Sequence, residues 1–306
     1  MEMDKLVAVV GPTCTGKSAL ALWLAATFNG EIINADSRQV YRYMDTGTAR
    51  PTPEQMALAP HHLFSIINPD EDFSLVQYQQ LAYDSIKDVH RRGRLPLLVG
   101  GSGLYVWAVL EGWIVPPVPP DAEYRRSLER RADAAGGDQL HRELARVDPA
   151  TAEKIDPRNV RRVIRALEVN REKPFAQSAR KQPPAFQTLI IGLTSPRKAL
   201  YARADARVDN MVASGLVEEV RRLLSMGYSL DLPSMSSIGY REIGAFLQGR
   251  MTLDEAVYRI KVGTHRFIRH QYAWFKLDDE RIHWFEANDA SREAIGAVVK
   301  SFVAAL

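Results

Sequence analysis

With 306 residues, the chain has room for one large domain, or for one domain carrying a substantial insertion. Apolar residues make up 46% and charged residues 25%, the balance of a globular protein rather than of a disordered chain. A single cysteine, Cys14, excludes an internal disulfide and a cysteine zinc cluster, while a net charge of +3 permits a nucleic-acid partner without requiring one.

The opening apolar run, 6–10, is too short for a secretory signal, and no stretch reaches the roughly 18 apolar residues of a membrane span. A cytoplasmic protein with no membrane partner is therefore expected. Short apolar runs predict buried parallel strands at 6–10, 31–35, 95–100, 188–193 and 282–285. Helical patterns lie between them, as over 18–28 and 75–92. This alternation predicts a doubly wound parallel α/β sheet, with ligands bound at the carboxyl ends of its strands.

The rhythm breaks at VPPVPP (115–120) and resumes after QPP (182–184), with only helical patterns between. Two proline clusters predict a helical insertion domain over 118–185, within a core made of 1–117 and 186–306. The alternative is a long helical connection lying flat on the core. Beyond 195 the pattern is helical almost to the end. His61 and His62 lack any metal-ligand spacing, so a packed turn before a strand is the expectation there.

The segment GPTCTGKS (11–18) places Gly11 and Gly16-Lys17-Ser18 at the spacing of a phosphate-binding P-loop, between a strand and a helix. Gly11 and Gly16 let the backbone bend so that the N–H groups of Pro12–Ser18, except the proline's, can turn toward anionic oxygens. Lys17 would neutralise phosphate charge and Ser18 would ligate Mg²⁺. A ligand with two or more phosphates is expected. A motor ATPase places a carboxylate at the end of a second buried strand, but here LPLLV runs into Gly100-Gly101-Ser102-Gly103. The nearest carboxylate is Asp36, just past the second strand. The residues alone leave it either facing the loop or serving as a helix-capping turn residue.

Taken in order, GPTCTGKS, INADSRQVYRYMDTGTARP (33–51), HHLFSIINPDEDFSLVQYQ (61–79), LPLLVGGSGLYVWAVLEG (95–112), RNVRRVIRALEV (158–169), RVDNMVASGLVEEV (207–220), SSIGYREI (236–243) and HRFIRHQYAWF (265–275) span nearly the whole chain. This set resembles the tRNA dimethylallyltransferase (tRNA isopentenyltransferase) family. The resemblance implies transfer of a dimethylallyl group from its diphosphate to N6 of adenosine 37, beside the anticodon of tRNA. The loop residues Gly11, Pro12, Thr13, Cys14, Thr15, Gly16, Lys17 and Ser18 would then hold dimethylallyl diphosphate with Mg²⁺ rather than a nucleoside triphosphate. The implied general base is Asp36, with Thr13 near the reacting centre and Ser102 and Arg125 approaching the target nucleotide.

The chemistry supports that picture: charge flows onto departing diphosphate, where a cationic cradle stabilises it, and a weakly nucleophilic adenine amine gains from a proton acceptor. The base must leave its stack, and Ser37, Arg38 and Gln39 could read it. Arg38 stands where the family usually has an uncharged side chain. Arg158, Arg161, Arg162 and Arg165 recur at one helical face, a predicted phosphate-binding stripe, and the expected RNA segment also includes Val163 and Ile164. A second stripe, 256–277, contains no acid and interleaves aromatics with Arg259, Lys261, Arg266 and Arg269. Gly239, Tyr240 and Arg241 add a third expected RNA edge. The tRNA anticodon stem-loop is the predicted partner of a monomer. The rivals are a nucleoside-type kinase with Arg197, Arg203 and Arg207 on a lid, a prenyltransferase for free adenine nucleotides, and a non-catalytic RNA-binding module.

Overall fold

The computed structural model describes residues 4–114, 118, 120–172, 180–182, 184 and 186–305. In chain order the strands are β1 (Asp4–Val10), β2 (Gly30–Asn34), β3 (His61–His62), β4 (Leu95–Val99), β5 (Trp113–Ile114), β6 (Arg180–Lys181), β7 (Phe186–Thr194) and β8 (Ile282–Glu286). The helices are α1 (Lys17–Phe28), α2 (Pro53–Leu58), α3 (Leu75–Arg91), α4 (Gly103–Leu110), α5 (Ala122–Ala135), α6 (Gly137–Val147), α7 (Pro149–Ala152), α8 (Val160–Glu172), α9 (Arg197–Ala213), α10 (Leu216–Ser225), α11 (Tyr240–Leu247), α12 (Leu253–Trp274) and α13 (Ser291–Ala304).

Six strands form one parallel sheet in the order β3-β2-β4-β1-β7-β8. The five strands predicted from apolar runs are all in it. Strand β1 is central, so both of its faces are covered and Leu6–Val10 are fully buried. Register pairs Val9 with Val99 and Asn34 with Val99, so β1, β2 and β4 end level with one another. The loops that follow them, 11–16, 35–39 and 100–102, therefore emerge together at one edge.

Helix α1 buries Leu20, Ala21, Leu24 and Ala25 against this sheet and carries no acid in its first turn. Its positive end is left for an external anion. Helices α3 and α12 begin at capping boxes, Ser74 with Gln77 and Thr252 with Glu255. His61 and His62 are themselves the short edge strand β3, rather than a turn before one. His62 Nε2 lies 2.6 Å from Glu31 Oε2, and Arg92 also binds that carboxylate. Burial pushes the Glu31 carboxyl up, but these hydrogen bonds outweigh it and hold it below its ordinary range. Among the described residues no group of three His, Cys, Asp or Glu could hold a metal.

The chain divides into two compact units, Met1–Leu110 with Pro184–Leu306, and Glu111–Pro183. The second unit begins at 111 rather than 118, because β5 and β6 pair antiparallel, Trp113 opposite Lys181. Two-residue strands leave no periodic signature, so this pair is absent from the sequence reading. The proline cluster at 115–120 lies largely outside the described residues. Within the unit, Leu128, Leu140, Leu144, Val163, Ile164 and Leu167 form a buried core. Truncating any of the leucines to alanine should cost about 2–5 kcal/mol. No helix among the described residues is long and apolar enough to cross a membrane.

Candidate active site

The loop after β1 requires its glycines. Gly11 has φ +129°, and a Cβ there would lie 2.3 Å from the Leu193 carbonyl oxygen of β7. Gly16 caps α1 in the left-handed region at φ +84°, and even Cys14 takes φ +65°. The Pro12 carbonyl is the internal hub of the loop, accepting from Thr15 Oγ1 at 2.8 Å and from Lys17 Nζ at 2.7 Å. Thr13, Cys14, Gly16, Lys17 and Ser18 line a cavity of about 290 Å³. Gly11, Pro12 and Thr15 are buried beneath it. The Lys17 ammonium is enclosed by the loop, and burial pushes its pKa down to about 8, with the nearby Asp36 charge opposing that fall.

Asp36 combines the two alternatives open from sequence. Its Oδ1 accepts the Arg38 N–H at 2.8 Å, a turn-forming role. Its Oδ2 has no hydrogen-bond partner among the described residues, and the side chain lines the loop cavity. It also lines a second cavity of about 290 Å³, bounded by Ser37, Arg38, Ser102, Val208, Ser236–Gly239 and Phe267. Thr13, Asp36, Thr48, Ala49 and Arg207 belong to both cavities. Each is at the lower end of ligand pockets, which run roughly 300–1,000 Å³, so each suits one small group rather than a whole nucleotide.

Three loops are cross-linked here. Asn34 holds the turn at both ends, accepting from the Asp36 N–H at 2.8 Å and donating to the Asp36 carbonyl at 3.1 Å. Ser102 Oγ accepts the Ser37 N–H at 2.9 Å, and the Ser102 N–H reaches the Ala35 carbonyl at 3.2 Å. A Cβ on Gly100 would stand 2.1 Å from that same carbonyl oxygen, which explains the glycine in this loop. Arg38 donates to the Pro233 carbonyl at 3.0 Å, and Gln39 to the carbonyls of Thr48 and Ala49.

Two contributors act here in parts other than those expected of their segments. Gln271 of α12 is buried; it accepts the Thr13 N–H at 2.8 Å and donates to the Gly101 carbonyl at 3.0 Å. The Thr13 N–H is thus already engaged by protein. Arg207 of α9 donates to Thr13 Oγ1 at 3.1 Å and lines both cavities. It opens the segment RVDNMVASGLVEEV and is one of the three arginines that the sequence reading offered for the lid of the rival kinase. Neither Arg197 nor Arg203, the other two arginines of the kinase lid, lines either cavity.

The basic surface differs from its sequence reading. On α12, Arg266 is exposed and unpaired among the described residues, and Arg269 donates to Tyr201 Oη at 2.8 Å. Lys261 and His265, however, meet Asp209 and Asp205 of α9 at 2.7 and 2.8 Å. A stripe without acids of its own is partly neutralised by a neighbouring helix. At the third expected edge, Gly239 caps α11 at φ +97° and exposed Arg241 pairs with Glu242. Tyr240 is fully buried, so its side chain does not face RNA.

In the insertion unit, α8 leaves Arg161 and Arg162 exposed and without partners among the described residues. Arg158 pairs with Asp156. Buried Glu168 takes Arg165 and, in a two-pronged contact at 2.9 and 2.8 Å, Arg125. Burial pushes the Glu168 carboxyl up, but these guanidinium groups outweigh it and hold it below the usual range. Val163 and Ile164 are core residues of the unit, which corrects their expected place at the RNA. The physical reason is helical geometry: they lie on the face opposite Arg161 and Arg162.

A family model described as IPP transferase matches residues 39–278, and one described as isopentenyl transferase matches 4–61. The chain is 55% identical to the tRNA dimethylallyltransferase of Roseiflexus sp. (strain RS-1), over 90% of both chains. It is 46% identical to that of Dehalococcoides mccartyi, over 98% of this chain and 93% of the relative. Among solved structures, it matches the tRNA isopentenylpyrophosphate transferase of Bacillus halodurans with TM-score 0.73 and 41% identity, covering 98% and 96%. It also matches a eukaryotic dimethylallyltransferase acting on tRNA, with TM-score 0.82 and 26% identity, covering 98% and 79%. Agreement over so much of the chain, in both sequence and fold, makes this protein a member of the IPP transferase family, that of the tRNA dimethylallyltransferases.

Proposed function

We propose that this chain transfers a dimethylallyl group from dimethylallyl diphosphate to N6 of adenosine 37 in tRNA, releasing diphosphate. The observation that carries the reading is Asp36, whose Oδ2, without a hydrogen-bond partner among the described residues, lies on a wall shared by two cavities, one of them ending on a phosphate loop. The donor diphosphate occupies the loop cavity and the extruded adenine enters the other.

In the reaction, the N6 lone pair forms a bond to the allylic carbon as the carbon–oxygen bond to diphosphate breaks. The departing electron pair stays on diphosphate, and the N6 proton passes to Asp36 Oδ2. Lys17, the α1 N-terminus and Arg207 face the charge that develops on the leaving group. Ser102 and Ser37 hold the Asp36 turn in register with the glycine loop after β4. A divalent cation fits the donor set: the Ser18 hydroxyl in the first turn of α1 borders the cavity, and Mg²⁺ usually takes few protein ligands beside phosphate oxygens. Bound there, Mg²⁺ supplies further charge neutralisation at the diphosphate.

RNA backbone is met by exposed arginines, Arg161 and Arg162 in the insertion unit and Arg266 on α12. Arg125 and Arg165, steadied by Glu168, offer oriented guanidinium groups, and Arg38, Gln39 and Arg241 read around the base. The reading takes the protein to act on tRNA in the cytoplasm, as a monomer.

The test is incubation with dimethylallyl diphosphate, Mg²⁺ and unmodified tRNA, followed by mass analysis of the nucleosides. One adenosine beside the anticodon should gain one isopentenyl unit, with matching release of diphosphate. Modification of free adenosine monophosphate but not of tRNA would overturn the reading.

A further inference from the structure

Glu219 on α10 is buried, 6% exposed, and the transfer chemistry described above gives it no part. Its carboxylate accepts the successive backbone N–H groups of Asp45 at 3.0 Å, Thr46 at 2.8 Å and Gly47 at 3.1 Å. A fourth donor, the Tyr240 phenol, reaches it at 2.6 Å. Burial, followed by the Glu219 charge, pushes the Tyr240 hydroxyl well above its ordinary range, so it stays a donor. Three consecutive N–H groups converging on one anion form a backbone nest. Here the anion is the protein's own, and the nest pins a turn rather than a ligand.

That turn feeds directly into the site. Gly47 lies so close to the Tyr240 ring that a Cβ would stand 2.5 Å from Cε2. Thr48 and Ala49, the next residues, line both cavities, as Asp36 does. Their carbonyls hold Gln39 Nε2 at 3.0 and 3.1 Å. Burying a carboxylate is costly, and only its full set of donors makes it tolerable. An apolar contact would join α10 to this turn with less expense but would not fix the turn's orientation.

We infer that Glu219 is a positioning residue of the transfer reaction, which sets through the 45–47 turn where Thr48, Ala49 and Gln39 stand around the Asp36 carboxylate. This rests on the proposed function. A purely structural Glu219 would change stability without changing how fast the folded enzyme reacts.

The full chain is compared with Glu219→Gln and Tyr240→Phe by three measurements. These are thermal melting, hydrogen exchange of the 45–47 amides, and single-turnover transfer at saturating dimethylallyl diphosphate and tRNA. The glutamine variant should stay folded and exchange those amides faster. Its single-turnover rate should fall about tenfold or more, the scale of a sub-ångström to 1 Å misplacement, while the KM for dimethylallyl diphosphate changes less than about threefold. Tyr240→Phe, which removes one donor and leaves the nest, should give a smaller loss of rate in the same direction; should the glutamine variant not fold, this variant decides. A variant with faster amide exchange and an unchanged single-turnover rate would overturn the inference. A folded wild type that transfers nothing to tRNA would instead overturn the proposed function, and the inference with it.

Discussion

Arg207 on α9 donates to the Thr13 hydroxyl at 3.1 Å, so a residue 194 positions away completes the phosphate loop. The guanidinium thereby stands on the wall shared by the two cavities, which under the proposed function puts it beside the leaving diphosphate. Arg207→Gln keeps a donor but removes the charge. Product inhibition by inorganic diphosphate should weaken at least tenfold, and single-turnover transfer should fall by about 10²-fold. Unaltered diphosphate inhibition would remove Arg207 from the donor site.

Asp36→Asn separates proton transfer from loop geometry. The asparagine Oδ1 can still accept the Arg38 N–H that shapes the turn, but its amide cannot take a proton from N6. Binding of tRNA and donor should change little while single-turnover rate falls by about 10²–10⁴-fold. A near-normal rate would reduce Asp36 to a turn residue.

Lys17 makes donor binding depend on pH. Its ammonium, pushed by burial to about 8 in the free protein, regains its charge preference when diphosphate arrives. Below that value the lysine is already charged and affinity is at its plateau. Above it, binding must take up a proton, and affinity should drop by up to about tenfold per pH unit. Calorimetric titration with dimethylallyl diphosphate, which is fully ionised there, in two buffers of different ionisation heat at a pH about one unit higher, should show uptake approaching one proton per site. Lys17→Met should abolish that uptake, and zero uptake by the wild type would count against the assignment.

The arginines of the insertion unit should not be equivalent. Arg161 and Arg162 are exposed and unpaired among the described residues, whereas Arg125 and Arg165 share Glu168 and Arg158 has Asp156. Replacing Arg161 or Arg162 by alanine should lower the salt slope of tRNA binding by about 0.7–1 each. Arg158→Ala should change it less, because that charge is already locally balanced. Equal slopes for all these variants would mean that the exposed face is merely solvated.

What the sequence determined by itself was whatever depends on neighbours along the chain. Apolar runs marked the inner strands because a central parallel strand buries every residue, as Leu6–Val10 do, while edge strand β8 buries only Ile282. Gly11 and Gly16 marked the loop because the backbone there needs φ values that other residues resist. Asp36 was placed near the loop by its position after β2, yet its dual use of two carboxylate oxygens was not legible. Tertiary structure alone brought Gln271 and Arg207 to Thr13, Glu219 to the 45–47 turn, and the acids of α9 to the cations of α12. It also turned Tyr240 inward, whereas the burial of Val163 and Ile164 follows from helical spacing on α8. Such pairings join residues far apart in sequence, and charge partners leave no periodicity in either segment. A strand declares itself by what it buries; an ion pair or a borrowed hydrogen bond is decided only when two distant surfaces meet.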